Sequence, residues 1–357
     1  MAYKMIQVGC GGFGGSWCAN FLPPNVSDGL IEPVAAVDIN PEALKNAKEH
    51  LGLTEEQCYT DIHKAFDENA ADFCTVVVPP AHHESVVDLA LAHDMHVLSE
   101  KPIADTIEGA CRIAQKVKAA GKLMGVTMSH RFRQDITTLR GEVQSGRHGP
   151  LDYIVCRFTC DCRVYGSWGA FRYEIPDTLM IEGFVHHLDL VADMAGGKCE
   201  TIYASTWNPK WGEFKGDSQG LVVMSMDNGT RATYEGAKTN AVQLNGWGGE
   251  YIRAECEKST LILDNQRITR HEWNPETRPN QPENGTPVEH LQQAKWANAW
   301  LIEKFCKWLD GGEPMETNVW DNLQSVALVF AAIESSKTGQ PVKVQEFLEA
   351  AKARVEA

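Results

Sequence analysis

The sequence predicts two domains of different construction. The first is a doubly wound parallel α/β sheet, and the second is an α+β domain with a large, open, mostly antiparallel sheet. From Tyr3 to about Met128, apolar strands alternate with helices, as in repeated βαβ units. Beyond Leu151 the strands lengthen and alternate apolar with polar residues, which is typical of an antiparallel sheet with one covered face. At 357 residues, the chain is long enough for both domains.

The first part opens with an apolar strand, 5–8, followed by a glycine-rich turn, a helix and a second strand, 34–37, which stops at Asp38. Continuous β-branched residues at 74–78 indicate a strand that is buried on both faces. The remaining elements repeat the strand–helix order. They are helices at 41–51, 61–69, 83–93 and 105–120, and strands at 73–78, 96–98 and 123–128.

The second part begins with a helix at 135–145 that is ended by Gly146. Its strands are predicted at 153–159, 201–205, 220–226, 230–234, 251–255 and 261–263. A helix at 178–195 interrupts them, 227–229 is a hairpin turn, and 270–288 is a polar surface loop. Helices at 295–309 and 322–338 follow. We therefore expect a dinucleotide-binding domain at 1–128, a substrate-binding and oligomerisation domain at 129–320, and a C-terminal part at 321–357 that returns toward the first domain.

The turn after the first strand has the pattern Gly-x-Gly-x-x-Gly in a complete βαβ context. Gly9 permits the tight turn, Gly11 lets the backbone approach a pyrophosphate, and Gly14 allows close packing of helix on strand. Asp38 lies roughly 24 residues after Gly14, near the spacing expected for a carboxylate on the adenosine ribose. A carboxylate repels a 2′-phosphate, so the sequence predicts NAD in preference to NADP. The loop residues assigned to the cofactor are Gly9, Gly11, Gly12, Phe13 and Gly14.

Composition excludes several classes of protein. A net charge of −15 and the lack of a Lys/Arg cluster argue against nucleic-acid binding. No apolar run reaches membrane-spanning length, and no signal peptide precedes the first strand. The eleven cysteines lack paired spacing, so we expect reduced thiols and a cytoplasmic protein.

Ligands of an open parallel sheet gather at the carboxyl ends of its strands, where two further loops are expected. One runs from Pro79 to His83. The other contains Glu100 and Lys101 directly after the strand 96–98. Pro102 restricts Lys101 to an extended or turn conformation and makes a cis peptide possible. A lysine held beside a nicotinamide is a candidate to hydrogen-bond a reacting oxygen, whereas the plain alternative is a surface lysine in a turn.

The helix at 178–195 carries a second candidate site. Glu182 and His186 are four residues apart and share a helix face, and Asp189 follows three residues later. His186 beside a carboxylate is a plausible general base. His187 points toward apolar neighbours and is expected in the core. Metal binding is the rival interpretation, which we set aside because no further ligand stands at a meaningful spacing, so no metal is predicted.

These motifs resemble the glucose–fructose oxidoreductase / inositol dehydrogenase / MocA family of NAD(P)-dependent oxidoreductases. The resemblance covers nearly the full length. It rests on the glycine turn, on Pro79 with His83, on residues 96–102, on the helix 182–189, and on the end of the last helix with a short strand at Val342. It implies a Rossmann domain, a domain with a large open sheet, and an active site between them. The family lysine corresponds to Lys101. The family Asp-x-x-x-His corresponds to Glu182 and His186, with Glu in place of Asp, and the usual Gly-rich run before this helix is missing.

The resemblance implies hydride transfer between NAD and a secondary alcohol of a sugar, sugar derivative or cyclitol. His186 would take the hydroxyl proton, Lys101 would bind the same oxygen, and Glu182 would orient His186. Polyol recognition also needs polar groups and aromatic faces. The residues expected to bind substrate are Lys101, Arg131, Arg163, Tyr165, Trp168, Arg172, Glu182 and His186.

Two other functions remain open at this point. One is a glycosidase of the same fold that oxidises and re-reduces its sugar with tightly held NAD. The other is an NAD-binding sensor without turnover, against which the presence of both Lys101 and His186 argues. An uncovered apolar sheet face is uncommon, so we also expect a homodimer or homotetramer formed through the second sheet.

Overall fold

The computed structural model describes residues 2–356, at Asn284 the backbone alone, and divides into two compact units. The first unit comprises the described residues up to Phe132, Ala294–Leu323, and the described residues from Ala351 onward. The second comprises Arg133–Gln293 and Gln324–Ala350. The chain therefore returns to the first unit at 294–323, a stretch that the sequence analysis assigns largely to the second domain.

A parallel sheet forms the centre of the first unit. Its strands are β1 (Tyr3–Val8), β2 (Ile31–Val37), β3 (Cys58–Tyr59), β4 (Phe73–Val76), β5 (His96–Ser99) and β6 (Met124–Val126). All pairings are parallel, in the order β3-β2-β1-β4-β5-β6. That order is the one of a dinucleotide-binding Rossmann sheet, so the predicted fold class of the first domain is confirmed.

Helices connect these strands. They are α1 (Phe13–Ser16), which continues through a π-helical segment (Trp17–Phe21) into α2 (Leu22–Ser27), then α3 (Leu44–Leu51), α4 (Ile62–Glu68), α5 (His83–Ala92) and α6 (Ile107–Ala119). Side-chain caps fix two of the starts, because Asp61 accepts from the His63 N–H and Thr106 accepts from the Gly109 N–H. The helix predicted from residue 41 begins at Leu44 instead.

The second unit is an α+β structure around a nine-stranded sheet. The helices within its first segment are α7 (Gln134–Gln144), α8 (Phe171–Glu174) and α9 (Val185–Ala195). Its strands are β7 (Leu151–Thr159), β8 (Cys199–Trp207), β9 (Gln219–Met226), β10 (Arg231–Ala237), β11 (Tyr251–Cys256), β12 (Ser259–Asp264), β13 (Arg267–Glu272), β14 (Thr286–Pro287) and β15 (Val342–Lys343). The strand order is β14-β13-β12-β11-β7-β10-β9-β8-β15, antiparallel except between β7 and β10. The predicted mostly antiparallel open sheet is confirmed.

One prediction for this sheet is wrong. The segment 270–288 is not wholly a surface loop, because its residues 270–272 are the end of β13, which pairs with β12, and because β14 pairs with β13. Backbone hydrogen bonds form a ladder whatever the side chains, so a polar edge strand leaves little trace in the apolar pattern.

The covered face of the second sheet shows the predicted alternation. Along β10, Ala232, Tyr234 and Gly236 are buried, whereas Arg231 and Thr233 are exposed. The Phe184 ring packs on the backbone at Gly220 and Gly236, so closely that a Cβ at Gly236 would lie 2.0 Å from a ring carbon. The sheet is therefore buried under the helix that carries the candidate histidine.

The remaining helices are α10 (Ala297–Leu309), α11 (Val319–Thr338) and α12 (Val344–Glu356). Leu301 and Phe305 of α10 are fully buried in the core of the first unit, where the Phe305 ring meets the Phe73 ring at 5.3 Å. This apolar contact explains why residues 294–323 belong to the first unit. Within the part of the chain that the structure describes, no helix is both long and apolar enough to cross a membrane.

Candidate active site

The glycine turn of the first unit is built from close backbone contacts. Gly9 has a φ of 88°, and a Cβ there would lie 2.1 Å from the Val77 carbonyl oxygen. A Cβ at Gly14 would lie 2.3 Å from the Gly9 oxygen. Real Cβ atoms do not approach oxygen this closely, so both positions require glycine. Gly12 and Phe13 stand at the exposed side of the turn. The open backbone at the start of the helix fits a pyrophosphate group.

Asp38 lies at the end of β2 against this turn. One carboxylate oxygen accepts from the backbone N–H of Cys10 at 2.7 Å and of Gly11 at 3.0 Å, while the other accepts from Asn40 N–H at 2.8 Å. Asp38, which was predicted from its spacing in the sequence, therefore lies against the glycine turn. The residues present fit a dinucleotide: open backbone for its phosphates and a carboxylate for a ribose.

The segment after β5 is organised by a buried carboxylate. Glu100 is 6% exposed and accepts from the Trp17 indole N–H at 3.0 Å, the Lys101 backbone N–H at 3.2 Å and the Asn298 amide at 3.4 Å. Burial raises the pKa of Glu100. The Lys101–Pro102 peptide is cis, as Pro102 allows. Glu100 thus holds the backbone of Lys101, whose side chain is half-buried.

His83 lies beneath the loops rather than on their surface. It is fully buried, and its ring nitrogens lie 2.8 Å from the Val78 carbonyl oxygen and 3.2 Å from the Ile103 carbonyl oxygen. It therefore links the loop that contains the exposed Pro79 to the segment that follows Lys101. Arg131 lies in a short 3₁₀ turn after β6 and is half-buried.

The acid of the second unit lies before α9, in a π-helical segment (Leu179–Phe184). Such segments are frequent at functional sites. Glu182 is 4% exposed and accepts from the Arg172 guanidinium Nε at 2.9 Å. Arg172 also donates to the Trp168 carbonyl oxygen at 3.0 Å and stacks on the rings of Trp168 and Phe171. The structure therefore provides Glu182 with a charge partner that the sequence analysis assigns only to substrate.

His186 lies in the first turn of α9 and is 7% exposed. The Trp247 ring meets the His186 ring edge-on, with the ring centres 5.9 Å apart. Asp189, one turn further, is buried and accepts from the Ser325 hydroxyl. A buried imidazole of this kind can take a proton from a bound group that displaces water from it.

His187 is in the core, as the sequence analysis expects. It is fully buried, its Nδ1 lies 2.8 Å from the Tyr234 hydroxyl, and its Nε2 lies 3.5 Å from a Glu250 carboxylate oxygen. Burial lowers the pKa of His187, and Glu250 opposes that shift. Glu250 is also paired with the Arg133 guanidinium at 2.5 Å. This buried network stabilises α9, because its member His187 is part of that helix.

The other residues expected to bind substrate separate into two groups. Trp168 and Arg172 lie near Glu182, as described above. Arg163 instead donates to the Thr239 carbonyl oxygen at 3.0 Å and stacks on Trp211, and the Tyr165 hydroxyl donates to Glu174. Arg163 and Tyr165 are thus engaged with neighbouring loops, and their contact with substrate stays a prediction.

The sequence predictions assign no role to Trp247, which contacts His186, or to Lys238, which contacts Trp247. Lys238 is fully buried, and its ammonium lies against the Trp247 ring. A period of two along β10, continued from Tyr234 and Gly236, is the one sequence signal that puts Lys238 on the covered face. Trp247 lies in the long loop between β10 and β11, and no local sequence pattern predicts its position.

Both units match models of known protein families. Residues 4–128 match an oxidoreductase family with an NAD-binding Rossmann fold, and residues 141–344 match the C-terminal alpha/beta domain of an oxidoreductase family. An uncharacterized protein of Sinorhizobium fredii is 54% identical over 98% of both chains. D-apiose dehydrogenase of Rhizobium rhizogenes is 23% identical over 88% of this chain and 91% of its own.

A solved structure shares the fold. An oxidoreductase from Agrobacterium radiobacter, in complex with NAD+, L-tartaric acid and magnesium, superposes with a TM-score of 0.82 at 21% identity, covering 97% of this chain and 99% of its own. The predictions of an NAD-binding domain and of an oxidoreductase are confirmed. The chain belongs to the glucose–fructose oxidoreductase / inositol dehydrogenase / MocA family of oxidoreductases.

Proposed function

We propose that this protein is an NAD-dependent dehydrogenase that interconverts a secondary alcohol of a sugar, sugar derivative or cyclitol with the corresponding ketone. The observation that carries the proposal is the buried acid–base segment of the second unit. There His186 stands one turn after Glu182, which is held by Arg172, in a chain whose other unit binds NAD. A protein that only bound NAD would have no use for such a segment.

The residues proposed to hold the cofactor all belong to the first unit. The backbone of the glycine turn would bind its phosphates, Asp38 its adenosine ribose, and the loops at Pro79 and at Glu100–Lys101 its nicotinamide half. NAD, when bound, supplies the hydride acceptor. We propose NAD rather than NADP because the Asp38 carboxylate would repel a 2′-phosphate. The basic residues that follow, Lys45 and Lys48, are paired with Glu42 and Glu55.

In the proposed mechanism, His186 removes the hydroxyl proton of the substrate. Lys101 donates a hydrogen bond to the same oxygen and stabilises its developing negative charge. Glu182 orients the imidazole of His186 and supports its protonated form. Glu182 is one methylene longer than the aspartate of the family pattern, and the Arg172 contact at 2.9 Å would hold its carboxylate in place. Arg131 and Trp168 would contact the rest of the substrate.

The test is NADH absorbance on a panel of sugars, sugar acids and inositols, with the wild type, His186→Ala and Lys101→Met. Each variant should lose roughly 10² to 10⁴ in turnover, the range that a positioned acid–base group contributes. NADH binding, followed by fluorescence, should be unchanged in His186→Ala. The exposed His63 provides the control His63→Ala, which should match the wild type.

Other outcomes would exclude the proposal. Full activity in either variant removes the assigned role. Bond cleavage in glycosides without net NADH formation identifies the glycosidase alternative, and NADH binding without turnover of any compound identifies the sensor.

We also propose that a second copy of the chain covers the open face of the second sheet. Tyr203, Leu221 and Val223 project from this face and are 41%, 52% and 49% exposed. Apolar side chains so grouped on a sheet are usually buried in an interface. Light scattering should therefore give a dimer or tetramer, and Leu221→Glu should shift it toward monomer. A wild type that stays monomeric at micromolar concentration would contradict this.

A further inference from the structure

Two cysteines lie two residues apart directly after β7, Cys160 and Cys162. Side chains at this spacing in an extended chain lie on the same side, so the two thiols can meet. Backbone hydrogen bonds fix both residues: the Cys160 N–H donates to the Ala237 carbonyl oxygen at 2.8 Å, and the Cys162 N–H donates to that of Lys238 at 2.6 Å. Cys160 is buried, whereas Cys162 is half-buried. The pair therefore has one thiol in the interior and one that reaches the surface.

A buried ammonium lies against this pair. The Lys238 Nζ is 4.0 Å from the Cys160 sulfur, and Lys238 is fully buried. A positive charge at such a distance favours the thiolate form of a cysteine over the thiol. It also disfavours a metal ion, because the ammonium would repel a cation that the two sulfurs could otherwise bind. The surroundings therefore suit a reactive thiolate.

The hydrogen bond within the pair distinguishes the two thiols. The Cys160 thiol donates to the Cys162 sulfur, which raises the pKa of Cys160 far above its ordinary value and lowers the pKa of Cys162 to about 7. Burial and the Asp161 carboxylate oppose the second shift, and Lys238 and the Ser167 hydroxyl support it. Near neutral pH, a large share of Cys162 is therefore thiolate, while Cys160 keeps its proton.

Other cysteines of the chain have different surroundings. Cys58 and Cys256 are also half-buried, but burial raises the pKa of both thiols, that of Cys256 to about 11. Cys10 and Cys18 form another hydrogen-bonded pair, yet both are fully buried, and the bond raises the pKa of Cys10. A reactive thiol needs thiolate character together with access to solvent. None of these four thiols combines the two as Cys162 does.

We propose that Cys160 and Cys162 are a redox-active dithiol that hydrogen peroxide oxidises to a disulfide, with Cys162 as the attacking thiolate and Cys160 as the resolving thiol. This reaction is independent of the proposed alcohol oxidation. Residues two apart in an extended chain have Cα atoms roughly 6.6 Å apart, within the range that a disulfide spans.

The reaction has two steps. In the first, the Cys162 thiolate attacks one oxygen of the peroxide and the O–O bond breaks, so that Cys162 becomes a sulfenic acid and the leaving hydroxide takes a proton from solvent. In the second, the Cys160 sulfur attacks the sulfenic sulfur. The S–S bond forms, the S–O bond breaks, and the hydroxyl group leaves as water with the Cys160 proton. Two thiols lose two electrons, and the peroxide gains them.

The dithiol is connected to the proposed active site within the second unit. The Cys162 carbonyl oxygen accepts from the Tyr173 hydroxyl at 2.8 Å, and Tyr173 follows Arg172, which holds Glu182. Oxidation removes the thiolate from beside Lys238 and constrains the backbone on which Tyr173 rests. We therefore expect turnover to fall roughly tenfold in the disulfide form and to return on reduction. This expectation, unlike the disulfide itself, rests on the proposed function.

Peptide mapping after peroxide treatment tests the dithiol. Reduced protein is treated with hydrogen peroxide, alkylated with iodoacetamide without added reductant, and digested with trypsin. Cleavage after Arg157 and Arg163 releases a peptide, 158–163, that contains both thiols and no other cysteine. Peptides 49–64 and 254–258 each contain a single half-buried cysteine, Cys58 and Cys256, and are controls within the same sample.

In the wild type, peptide 158–163 should lose both alkyl groups and two hydrogen atoms in mass, and dithiothreitol should reverse the change. Its oxidation should be at least roughly tenfold faster than that of the two control peptides, because of the larger thiolate share of Cys162. Cys160→Ser should stop at the sulfenic acid of Cys162, which dimedone traps. Cys162→Ser should leave Cys160 open to alkylation.

Lys238→Met tests the role of the ammonium. Methionine retains the length of the side chain without its charge, so oxidation should slow roughly tenfold. The exposed Lys210→Met is the control and should match the wild type. If Lys238→Met does not fold, the two cysteine variants decide the question.

Three results would overturn the dithiol. They are a peptide 158–163 that oxidises no faster than the control peptides, equal oxidation of Cys160 in Cys162→Ser, and resistance of the reduced pair to alkylation until a chelator is added, which would identify a metal site. Unchanged turnover in protein that carries the disulfide would refute the link to Glu182. If the wild type turns over no alcohol, the proposed function fails, and peptide mapping alone still decides the dithiol.

Discussion

The two candidate sites of this protein differ in whether backbone or side-chain atoms form them. The glycine turn of the first unit is made of backbone, with a single side chain, Asp38, that accepts from two of its N–H groups at 2.7 and 3.0 Å. The region around His186 in the second unit is made of side chains. Arg172 reaches Glu182 from α8, and Trp247 reaches His186 from a loop more than sixty residues later along the chain.

The two sites should therefore be disrupted by opposite kinds of substitution. A backbone site depends on the absence of side chains at fixed positions, so it is broken by adding atoms. A side-chain site depends on charges and rings that meet from distant segments, so it is broken by removing atoms. Substitutions at Gly14, Asp38 and Arg172 test this contrast, with effects that should decrease in that order.

Gly14→Ala should be the most damaging change in the first unit. The new Cβ would stand 2.3 Å from the Gly9 oxygen, and backbone cannot yield as a side chain can. We expect a loss of roughly 3 kcal/mol in the free energy of unfolding, measured in urea, together with loss of NADH binding. Gly141→Ala in α7 is the control, because nothing lies within 4 Å of its Cβ, and it should gain about 0.5 kcal/mol. Equal stability of the two variants would contradict the backbone interpretation.

Asp38→Asn should change cofactor choice with little effect on the fold. The amide oxygen can still accept from the Cys10 and Gly11 N–H groups, so the contacts to the glycine turn are kept, and only the bond from the Asn40 N–H is lost. Removal of the negative charge should lower the preference for NADH over NADPH by roughly tenfold, equivalent to about 1.4 kcal/mol. Affinities for both cofactors, followed by fluorescence, measure the ratio. The exposed Asp105 supplies the control Asp105→Asn, and a ratio that stays constant would argue against a ribose contact.

Arg172→Gln should have a smaller effect, confined to the second unit. It removes the charge partner of a carboxylate that is 4% exposed, but leaves Glu182 and His186 in place. We expect turnover to fall about tenfold while NADH affinity is unchanged, because the geometry of Glu182 loosens. Steady-state kinetics beside Arg231→Gln, an exposed arginine, measure the change. Wild-type turnover in Arg172→Gln would mean that Glu182 is held by other contacts.

The parallel βαβ unit that opens the first sheet and the position of the glycine turn were predictable because their determinants lie close together in the chain. Strand, turn, helix and acid occupy residues 3–38, and each local preference agrees with the next. Two helix starts, at Asp61 and Thr106, also followed local capping rules, whereas the start predicted at residue 41 did not. Strands β13 and β14 were not predicted, because backbone hydrogen bonds form their pairing and the pattern of apolar residues gives no sign of those bonds.

The second site was predictable only in part. Glu182 and His186 were predicted from their spacing of four residues, and their catalytic roles stay a prediction. The structure divides the two between the π-helical segment and α9. His187 was expected in the core because of its apolar face, and it is fully buried. The Arg172–Glu182 pair, the π-helical segment and the burial of Lys238 under Phe158, Trp168 and Trp247 were not predicted. Each depends on contacts between segments whose meeting no local spacing encodes.

By itself, the sequence determined the two kinds of sheet, the nucleotide-binding turn, and the residue types available for acid–base chemistry. These follow from periodicity and from steric rules that act over a few residues. The tertiary structure alone decided which charges are buried and what covers them, including the lysine under three aromatic rings. The physical reason is that burial and electrostatic pairing depend on distance in space, and chain folding makes that distance independent of separation along the sequence.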